Sequence, residues 1–301
     1  MDLQLLGSFK AVVEEGSFSA AGQRLRRTQP AISIALKRLE TELGEKLIDR
    51  SSKSVVLTDA GKAVYEYSKR FDDLKKELRN RLVELRDKST GSLSIGANES
   101  TALYLLRHVE EYRTLYPGVK VEMRRSLSSR IPASIAAGSL DLGVISYDPE
   151  DPKLVTRVIY NDSLVFIVSP RHRFAGREQV RITELGMESF IAHNVISPYR
   201  KNVVDAFRRH GVPLNMNLEL PTIETIRRMV QANLGVTFMP KMCVERELVS
   251  GSLVSVPVDE VGMERKINLV HAAKRQLSHA ARAFLELVEQ RDAEAGRAVA
   301  P

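Results

Sequence analysis

The feature that most constrains the fold is a highly charged stretch, residues 59–88, whose apolar residues recur in steps of three and four. Such steps place apolar side chains along one face of a helix, and a heptad repeat favours a seam between two helices. One stutter, at Leu82, interrupts the repeat. A helix packed on its own domain is the alternative, but no flanking segment of matching length is evident. We therefore predict a linker helix that pairs two chains through Val64, Tyr67, Phe71, Leu74, Leu78, Leu82 and Leu85.

The segment before this helix, residues 1–58, carries the start and stop signals of three short helices. Side chains that can cap a helix N-terminus alternate with glycines that can end one. Pro30 fits the first turn of the third helix, where its missing N–H removes no hydrogen bond. Polar residues followed by Val55, Val56 and Leu57 fit a short two-stranded wing. We predict an otherwise all-α winged helix-turn-helix, with helix starts at Asp2, Ser19 and Thr28 and helix ends at Gly16 and Gly44.

From Gly91 onward, strand-like and helix-like stretches alternate. This alternation is typical of an α/β fold with largely parallel sheets. Two short strand candidates within residues 155–169 have no helix between them, so they predict a crossover between two lobes. We expect lobe I to comprise residues 91–161 and 267–301, and lobe II residues 162–266.

The third short helix is basic and rich in small polar residues. Residues 24–38 contain five Lys and Arg side chains and no acidic residue. Gln29, Ser33 and Lys37 follow at four-residue steps and so share one face. Gln can bridge the N6/N7 edge of adenine, and a helix N-terminus can meet a phosphate. The predicted DNA contacts, with two from the wing, are Arg27, Thr28, Gln29, Pro30, Ser33, Lys37, Arg50 and Lys53.

Composition bounds the other functional classes. The net charge of +7 is compatible with a polyanionic partner, although a mildly basic balance is weak evidence. No apolar run is long enough to span a membrane, no secretory signal is visible, and the single cysteine, Cys243, favours a reducing compartment. We therefore expect a cytoplasmic protein with no membrane partner.

Motifs for catalysis are absent from the sequence. The six histidines are scattered, with no H-x-x-x-H pair, and neither G-x-S-x-G nor a phosphate-binding glycine loop occurs. Cys243 stands in an apolar helical context, where a small core residue is more common than a nucleophile. We expect no catalytic residue, metal or cofactor, and therefore no enzyme.

The ordered motif Thr-Gln-Pro-Ala-Ile-Ser at residues 28–33, followed by Leu-Thr-x-Ala-Gly at residues 57–61, resembles the LysR-type transcriptional regulator family. Residues 138–143 and 230–240 are also similar to stretches of that family. Two departures are Ile48, where the family usually has an aromatic residue, and Asn233, where glycine is common. Neither departure bears on DNA binding, because Asn tolerates a left-handed turn.

The resemblance implies a DNA-binding domain over residues 1–58, a linker helix over residues 59–88, and a two-lobed, periplasmic-binding-protein-like effector domain over residues 91–301. It also implies a sequence-specific regulator that a small-molecule effector switches. Homodimers would assemble into a homotetramer, and RNA polymerase is a further partner that the resemblance allows.

The effector pocket is expected at the carboxyl ends of strands, where helix N-termini point. Hydroxyl groups and free N–H groups there favour a small anion such as a carboxylate. Plain N-capping is the alternative for each Ser or Thr, and core filling for the aromatic residues. Arg124, Arg125 and Arg130 are available to neutralise an anion, or else face solvent. The candidate effector contacts are Ser100, Thr101, Ser128, Ser129, Tyr147, Ser197, Thr222 and Phe238.

One alternative to this interpretation belongs to another function class. The basic helix could be a solvated face of a helical bundle, in a small-molecule-binding protein of transport or sensor type whose N-terminal helices serve interaction only. Specific DNA binding would distinguish the two classes, because it falls steeply as salt rises.

Overall fold

The computed structural model describes residues 2–49, 54–86, 90–195 and 197–298. The chain divides into two compact units, Met1–Leu82 with Ala137–Ser139, and Val83–Ala136 with Leu140–Pro301. We call them the N-terminal unit and the C-terminal unit. Within the described part of the chain, no helix has the length and apolar character needed to cross a membrane.

Three short helices, a wing and a long helix build the N-terminal unit, which confirms the predicted winged helix-turn-helix. Its core contains Phe9, Ile32, Leu36 and Leu39, all fully buried. The wing is an antiparallel pair in which Ile48 lies opposite Leu57. The elements are α1 (Leu3–Glu15), α2 (Phe18–Leu25), α3 (Gln29–Leu43), β1 (Ile48–Asp49), β2 (Val56–Leu57) and α4 (Asp59–Arg86).

Most helix ends in this unit lie where the capping residues predict them. The Asp2 side chain accepts a hydrogen bond from Gln4 N–H at 2.8 Å. Gly16 and Gly44 end α1 and α3 in the left-handed conformation. Thr58 starts α4, because its hydroxyl oxygen accepts a hydrogen bond from Gly61 N–H at 2.9 Å.

The predicted start of the second helix at Ser19 is wrong. Helix α2 begins at Phe18, and the Ser17 side chain accepts the capping hydrogen bond from Ala20 N–H at 3.4 Å. The left-handed Gly16 turns the chain at once, so the helix starts earlier than predicted.

The turn between α2 and α3 is tight for two local reasons. Arg26 adopts a left-handed backbone with φ of 53°, a conformation that few non-glycine residues take. A Cβ atom at Gly22 would lie 2.7 Å from the Arg27 carbonyl oxygen. Gly22 therefore permits the close approach that sets the start of α3.

The C-terminal unit is a two-lobed α/β structure, as predicted. In the first lobe the sheet order is β4-β3-β5-β11-β6, with β3 parallel to β4 and β5. Its elements are β3 (Gly91–Ala97), α5 (Glu99–Leu115), β4 (Val119–Arg125), α6 (Ile131–Ala136), β5 (Leu142–Ile145), β6 (Leu154–Val168), β11 (Met263–Ala272) and α10 (His279–Ala298).

The second lobe has its own sheet and its own core. Strands β7 and β8 are parallel, and a bridge from Phe190 to Val236 connects β7 to the chain entering β9. Strands β9 and β10 both pair antiparallel with the end of β6. The elements are β7 (Ser189–His193), α7 (Pro198–Arg209), β8 (Asn215–Leu220), α8 (Ile223–Gln231), β9 (Thr237–Pro240), α9 (Glu245–Ser250) and β10 (Val254–Val256).

Two sequence predictions about the crossover need correction. The two short strands expected within residues 155–169 are one continuous strand, β6, which runs from the first lobe into the second. The sheets are mixed rather than largely parallel, because β11 returns antiparallel along β6. Strand β6 carries the chain from the first lobe into the second, and β11 carries it back. The two neighbouring strands therefore run in opposite directions.

A buried histidine gives the C-terminal unit a pH-dependent stability. His108 on α5 is only 1% exposed and packs on Tyr104, with ring centroids 5.2 Å apart. Burial, assisted by the charge of Arg107, lowers the pKa of His108 to about 4. The folded unit therefore excludes a proton that the unfolded chain binds below about pH 6.5. This stability is complete above that pH and is lost as the pH falls towards 4.

We expect this histidine to remove about 2–3 kcal/mol from the unfolding free energy of the C-terminal unit between pH 7 and 4.5. Urea unfolding at both pH values measures the loss. His108→Gln, which does not titrate, should show a correspondingly smaller loss, and carboxylates account for what remains. Equal losses in the two proteins would contradict the assignment.

Candidate functional site

Helix α3 presents a polar face opposite the core of the N-terminal unit. Gln29 and Lys37 are exposed and Ser33 is half-buried, whereas Ile32 and Leu36 on the other side are fully buried. Thr28 and Pro30 are exposed at the start of the helix. The Thr28 hydroxyl accepts a hydrogen bond from Ala31 N–H at 3.4 Å, so it also caps the helix. The face that the sequence predicts is thus open.

The basic residues around α3 differ in their partners. Arg24 binds Glu14 and Glu15 at 2.8 and 3.0 Å, and hydrogen bonds to these carboxylates raise the pKa of Arg24. Its charge is therefore balanced within the unit. Arg27 donates to the Gln4 side-chain oxygen at 3.2 Å and remains exposed. Arg50 and Lys53, predicted to contact DNA from the wing, lie outside the described residues.

The apolar stripe of α4 is largely uncovered in a single chain. Five of its residues, Tyr67, Phe71, Leu74, Leu78 and Leu82, are between 38% and 61% exposed. Val64 differs, because it is half-buried and packs against the core of the N-terminal unit. The Leu85 side chain lies outside the described part of the helix. A row of exposed apolar side chains at heptad spacing is typical of an unpaired coiled-coil strand.

A cleft of about 480 Å³ separates the two lobes of the C-terminal unit. Three of the predicted effector residues, Ser100, Ser197 and Phe238, line it. Its apolar surface includes Phe190, Phe238, Met239, Ile226 and Val203. The volume suits a small organic molecule.

The other five predicted effector residues are not among those that line the cleft, and most have structural partners. Thr101 is buried and donates to the Val144 carbonyl at 3.2 Å. Ser128 accepts a hydrogen bond from the Asn98 side chain at 2.8 Å, and Tyr147 donates to the Ser128 carbonyl at 3.3 Å.

Thr222 caps α8 through Thr225 N–H at 3.2 Å, and Ser129 is exposed. Several of these predicted hydroxyl groups therefore make hydrogen bonds within the protein, and the assignment of these residues to the effector stays a prediction.

Glu99, which the sequence analysis did not single out, links the two lobes. Its Oε1 accepts a hydrogen bond from Ile223 N–H at 2.7 Å, at the N-terminus of α8. Its Oε2 lies 3.2 Å from His193 Nε2 and 3.4 Å from an Arg125 nitrogen. The protein's own carboxylate thus occupies donors that an anionic ligand would otherwise find free. The sequence signal that could have identified Glu99 is its position in the first turn of a helix that directly follows a strand.

The cleft is cationic as well as apolar. Three arginines, Arg125, Arg130 and Arg200, line it against the single carboxylate of Glu99. Arg200 donates to the His193 carbonyl at 3.1 Å and also pairs with Glu219. Arg125 has a side chain that is 63% exposed and Arg130 is exposed, so both can reorient towards a ligand.

Cys243 has the character of a core residue. It is 2% exposed, and burial raises the pKa of its thiol to about 12. The thiol is therefore protonated near neutral pH, where only the thiolate is an effective nucleophile. Among the described residues, no group of His, Cys, Asp and Glu side chains is arranged to hold a metal ion.

A winged helix-turn-helix with an open polar helix face, together with a two-lobed domain around a cationic cleft, defines an effector-switched DNA-binding transcriptional regulator. Comparison with known families agrees. Residues 3–62 match the model of the bacterial regulatory helix-turn-helix proteins of the lysR family, and residues 86–293 match the LysR substrate binding domain. The chain belongs to the LysR family of transcriptional regulators, and the predicted resemblance is confirmed.

Similar proteins extend over nearly the whole chain. A probable RuBisCO transcriptional regulator of Cyanophora paradoxa is 33% identical over 94% of this chain and 90% of its own. The RuBisCO operon transcriptional regulator of Allochromatium vinosum is 27% identical over 96% of this chain and 95% of its own.

Among solved structures, full-length CbnR complexed with its target DNA has a TM-score of 0.75 at 20% identity, over 97% of this chain and 100% of CbnR. The CcmR regulatory domain of Synechocystis PCC6803 in complex with 2-PG has a TM-score of 0.59 at 25% identity, over 67% of this chain and 97% of that domain.

Proposed function

We propose that the effector of this regulator is a small organic anion with an apolar body, bound in the cleft between the two lobes. The observation that carries the proposal is the lining of the cleft, which combines three arginines and one glutamate with an apolar surface. A carboxylate or phosphate would be attracted by the excess of positive charge. Phe190, Phe238 and Met239 would cover the apolar part of the molecule.

The similar CcmR regulatory domain, which was solved with 2-PG, supports a compact ligand and makes 2-PG the first probe to test. The RuBisCO regulators among the relatives suggest a target operon in carbon metabolism. Binding of 2-PG to this chain is tested directly by thermal stabilisation.

Glu99 provides a means of coupling ligand binding to the lobes. Its carboxylate ties the first lobe to Ile223 N–H and His193 in the second. An anion entering the cleft would compete with Glu99 for these donors and change the link between the lobes. Ligand binding can shift an equilibrium only by its difference in affinity for the two arrangements, typically about 1–3 kcal/mol.

The DNA-binding part of the proposal is a homodimer paired through α4, which assembles further into a homotetramer. Pairing would present two α3 helices to successive turns of the major groove, about 34 Å apart. The operator would be contacted by Arg27, Thr28, Gln29, Pro30, Ser33 and Lys37. The wing residues Arg50 and Lys53 would contact the DNA next to them. RNA polymerase is a further proposed partner, and the cytoplasm, which holds bacterial DNA, is the proposed place of action. The domain boundaries at residues 58, 88 and 91 stay predictions.

The effector proposal is tested with matched pairs of ligands on the full-length protein. Benzoate and 2-PG, but not neutral benzamide, should raise the melting temperature, because a ligand that binds the folded state stabilises it. Arg130→Gln should weaken benzoate binding by about fivefold, since a partly exposed ion pair contributes about 1 kcal/mol. Isothermal titration calorimetry measures the affinity.

Arg282→Gln removes the same charge from an exposed position on α10 and should leave the affinity unchanged. Tighter binding of benzamide than of benzoate, or no stabilisation by any member of a panel of organic acids, would contradict an anionic effector.

A further inference from the structure

A buried ion pair joins the two strands that run between the lobes. Arg265 on β11 lies opposite Asp162 on β6. Arg265 Nε donates to Asp162 Oδ2 at 2.6 Å, and the two side chains are 4% and 0% exposed. The other Asp162 oxygen accepts a hydrogen bond from Met242 N–H at 3.1 Å. Both oxygens of Asp162 are therefore in use.

The rest of the Arg265 guanidinium is left without acceptors. Its Nη1 and Nη2 atoms are buried and have no hydrogen-bond partner among the described residues. A guanidinium carries five N–H donors, and four of them belong to these two nitrogens. By contrast, both terminal nitrogens of the half-buried Arg227 are satisfied, by the Cys243 carbonyl, Glu247 and Glu224. Buried charged donors are normally paired, so the Arg265 group calls for an acceptor.

Tyr199 connects this group to the cleft. Its ring lies over the guanidinium, with 4.4 Å between the Arg265 Cζ atom and the ring centroid. Tyr199 lines the cleft near the start of α7. Its hydroxyl is also buried without a hydrogen-bond partner among the described residues. Arg265 is not among the described residues that line the cleft, so Tyr199 is the contact through which the cleft adjoins its guanidinium.

We propose that Arg265 and Tyr199 form an oxyanion subsite that adjoins the cleft through Tyr199 and receives the carboxylate or phosphate of the effector. This inference rests on the proposed function and names where the charge of the ligand binds. The two Nη atoms suit the two oxygens of a carboxylate or phosphate, and the tyrosine hydroxyl supplies a further donor. Arg125 and Arg200 are less suited, because they already contact Glu99 and Glu219.

The position of the subsite links binding to the movement of the lobes. Arg265 and Asp162 belong to β11 and β6, the two strands through which the chain passes between the lobes. An oxyanion on Arg265 would redistribute the hydrogen bonds of this pair and so act directly on the crossover. A ligand held only at the exposed rim of the cleft would not do so.

Anion-dependent stability of the full-length protein tests the subsite without knowledge of the effector. The probes are phosphate and acetate, each compared with chloride at constant ionic strength. Tyr199→Phe removes only the unpartnered hydroxyl, so it should leave the melting temperature in chloride unchanged or higher. We expect it to weaken the apparent affinity for phosphate or acetate by about tenfold, since a charge-assisted hydrogen bond is lost.

A second variant removes the charges of the ion pair together. Arg265→Gln combined with Asp162→Asn leaves no single buried charge behind and should abolish stabilisation by either anion. Arg282→Gln removes one charge from an exposed position on α10 and is the control that should retain it. A response to phosphate alone would identify a phosphorylated ligand, and a response to both anions a carboxylate site as well.

Two results would overturn the subsite. One is that neither oxyanion stabilises the wild-type protein relative to chloride. The other is that either Tyr199→Phe or the double variant responds as the wild type does, because the anion then binds elsewhere. In either case, benzoate binding in the effector experiment would still stand as a separate result, so the two proposals fail independently.

Discussion

Replacing Leu74 and Leu78 with glutamate should convert the protein to monomers and reduce operator binding by about a hundredfold or more, because two linked recognition helices gain avidity that a single one lacks. Both leucines are about 60% exposed in the single chain, so their replacement should leave the fold of the N-terminal unit intact. Each chain would then carry two carboxylates in the apolar seam. These carboxylates would face those of the partner chain and repel them. Analytical ultracentrifugation measures the assembly, and fluorescence anisotropy with operator DNA measures binding at fixed salt.

A control on the same helix separates loss of the seam from loss of charge. Lys75→Ala with Arg79→Ala changes exposed residues off the stripe and lowers the net charge by the same two units as the leucine variant. This control should remain assembled. It should lose only the part of its affinity for DNA that comes from the two positive charges, and that part is sensitive to salt. A leucine variant that stays assembled would show that α4 does not pair the chains. A monomeric variant that still binds a full operator tightly would show that pairing adds no avidity.

Replacing Gln29 with alanine should weaken binding to the preferred operator by about 1–3 kcal/mol, or roughly 5- to 150-fold, the usual value of one bidentate base contact. Binding to unrelated DNA should change little, so sequence preference relaxes. Gln29 is exposed at the start of α3, and no packing should be lost. A fragment selected from genomic DNA by the wild-type protein supplies the operator, and competition with random DNA measures the preference.

Arg38→Ala provides the contrast, because Arg38 is exposed on the same helix but off the Gln29 face. Removing this positive charge beside the DNA should weaken specific and non-specific binding equally and reduce the slope of affinity against salt by at most about one counterion. If Gln29→Ala behaves in this uniform way, or binds its operator unchanged, the reading face of α3 is assigned incorrectly.

Local signals were sufficient for the N-terminal unit. Capping side chains and left-handed glycines act within a few residues of themselves, so Asp2, Thr28, Gly16 and Gly44 marked helix ends correctly. The exception, Ser17 in place of Ser19, arose because two serines of equal capping ability lie two residues apart. The left-handed Arg26 carried no signal, since nothing in its side chain demands that conformation.

The effector cleft was harder to predict than the helices. Ser100 and Ser197 line the cleft because helix starts at strand ends mark the edge of an α/β sheet, and Phe238 lines it from β9. The hydroxyl groups of Thr101 and Thr222 make hydrogen bonds within the protein, and sequence cannot distinguish these because the same atom can cap a helix or face a ligand. Glu99, Arg265 and Tyr199 contact partners 124, 103 and 66 positions away, and no spacing rule reports such pairs.

The sequence by itself determined the class of the protein, the three-helix unit with its wing, the long helix with its apolar stripe, and the alternation that builds two α/β lobes. These depend on capping, periodicity and motif order, which are local properties of the chain. The tertiary structure alone decided the single strand that crosses between the lobes, the Glu99 link and the buried Arg265–Asp162 pair. Their physical basis is contact between residues distant in sequence, which exists only once the chain has folded.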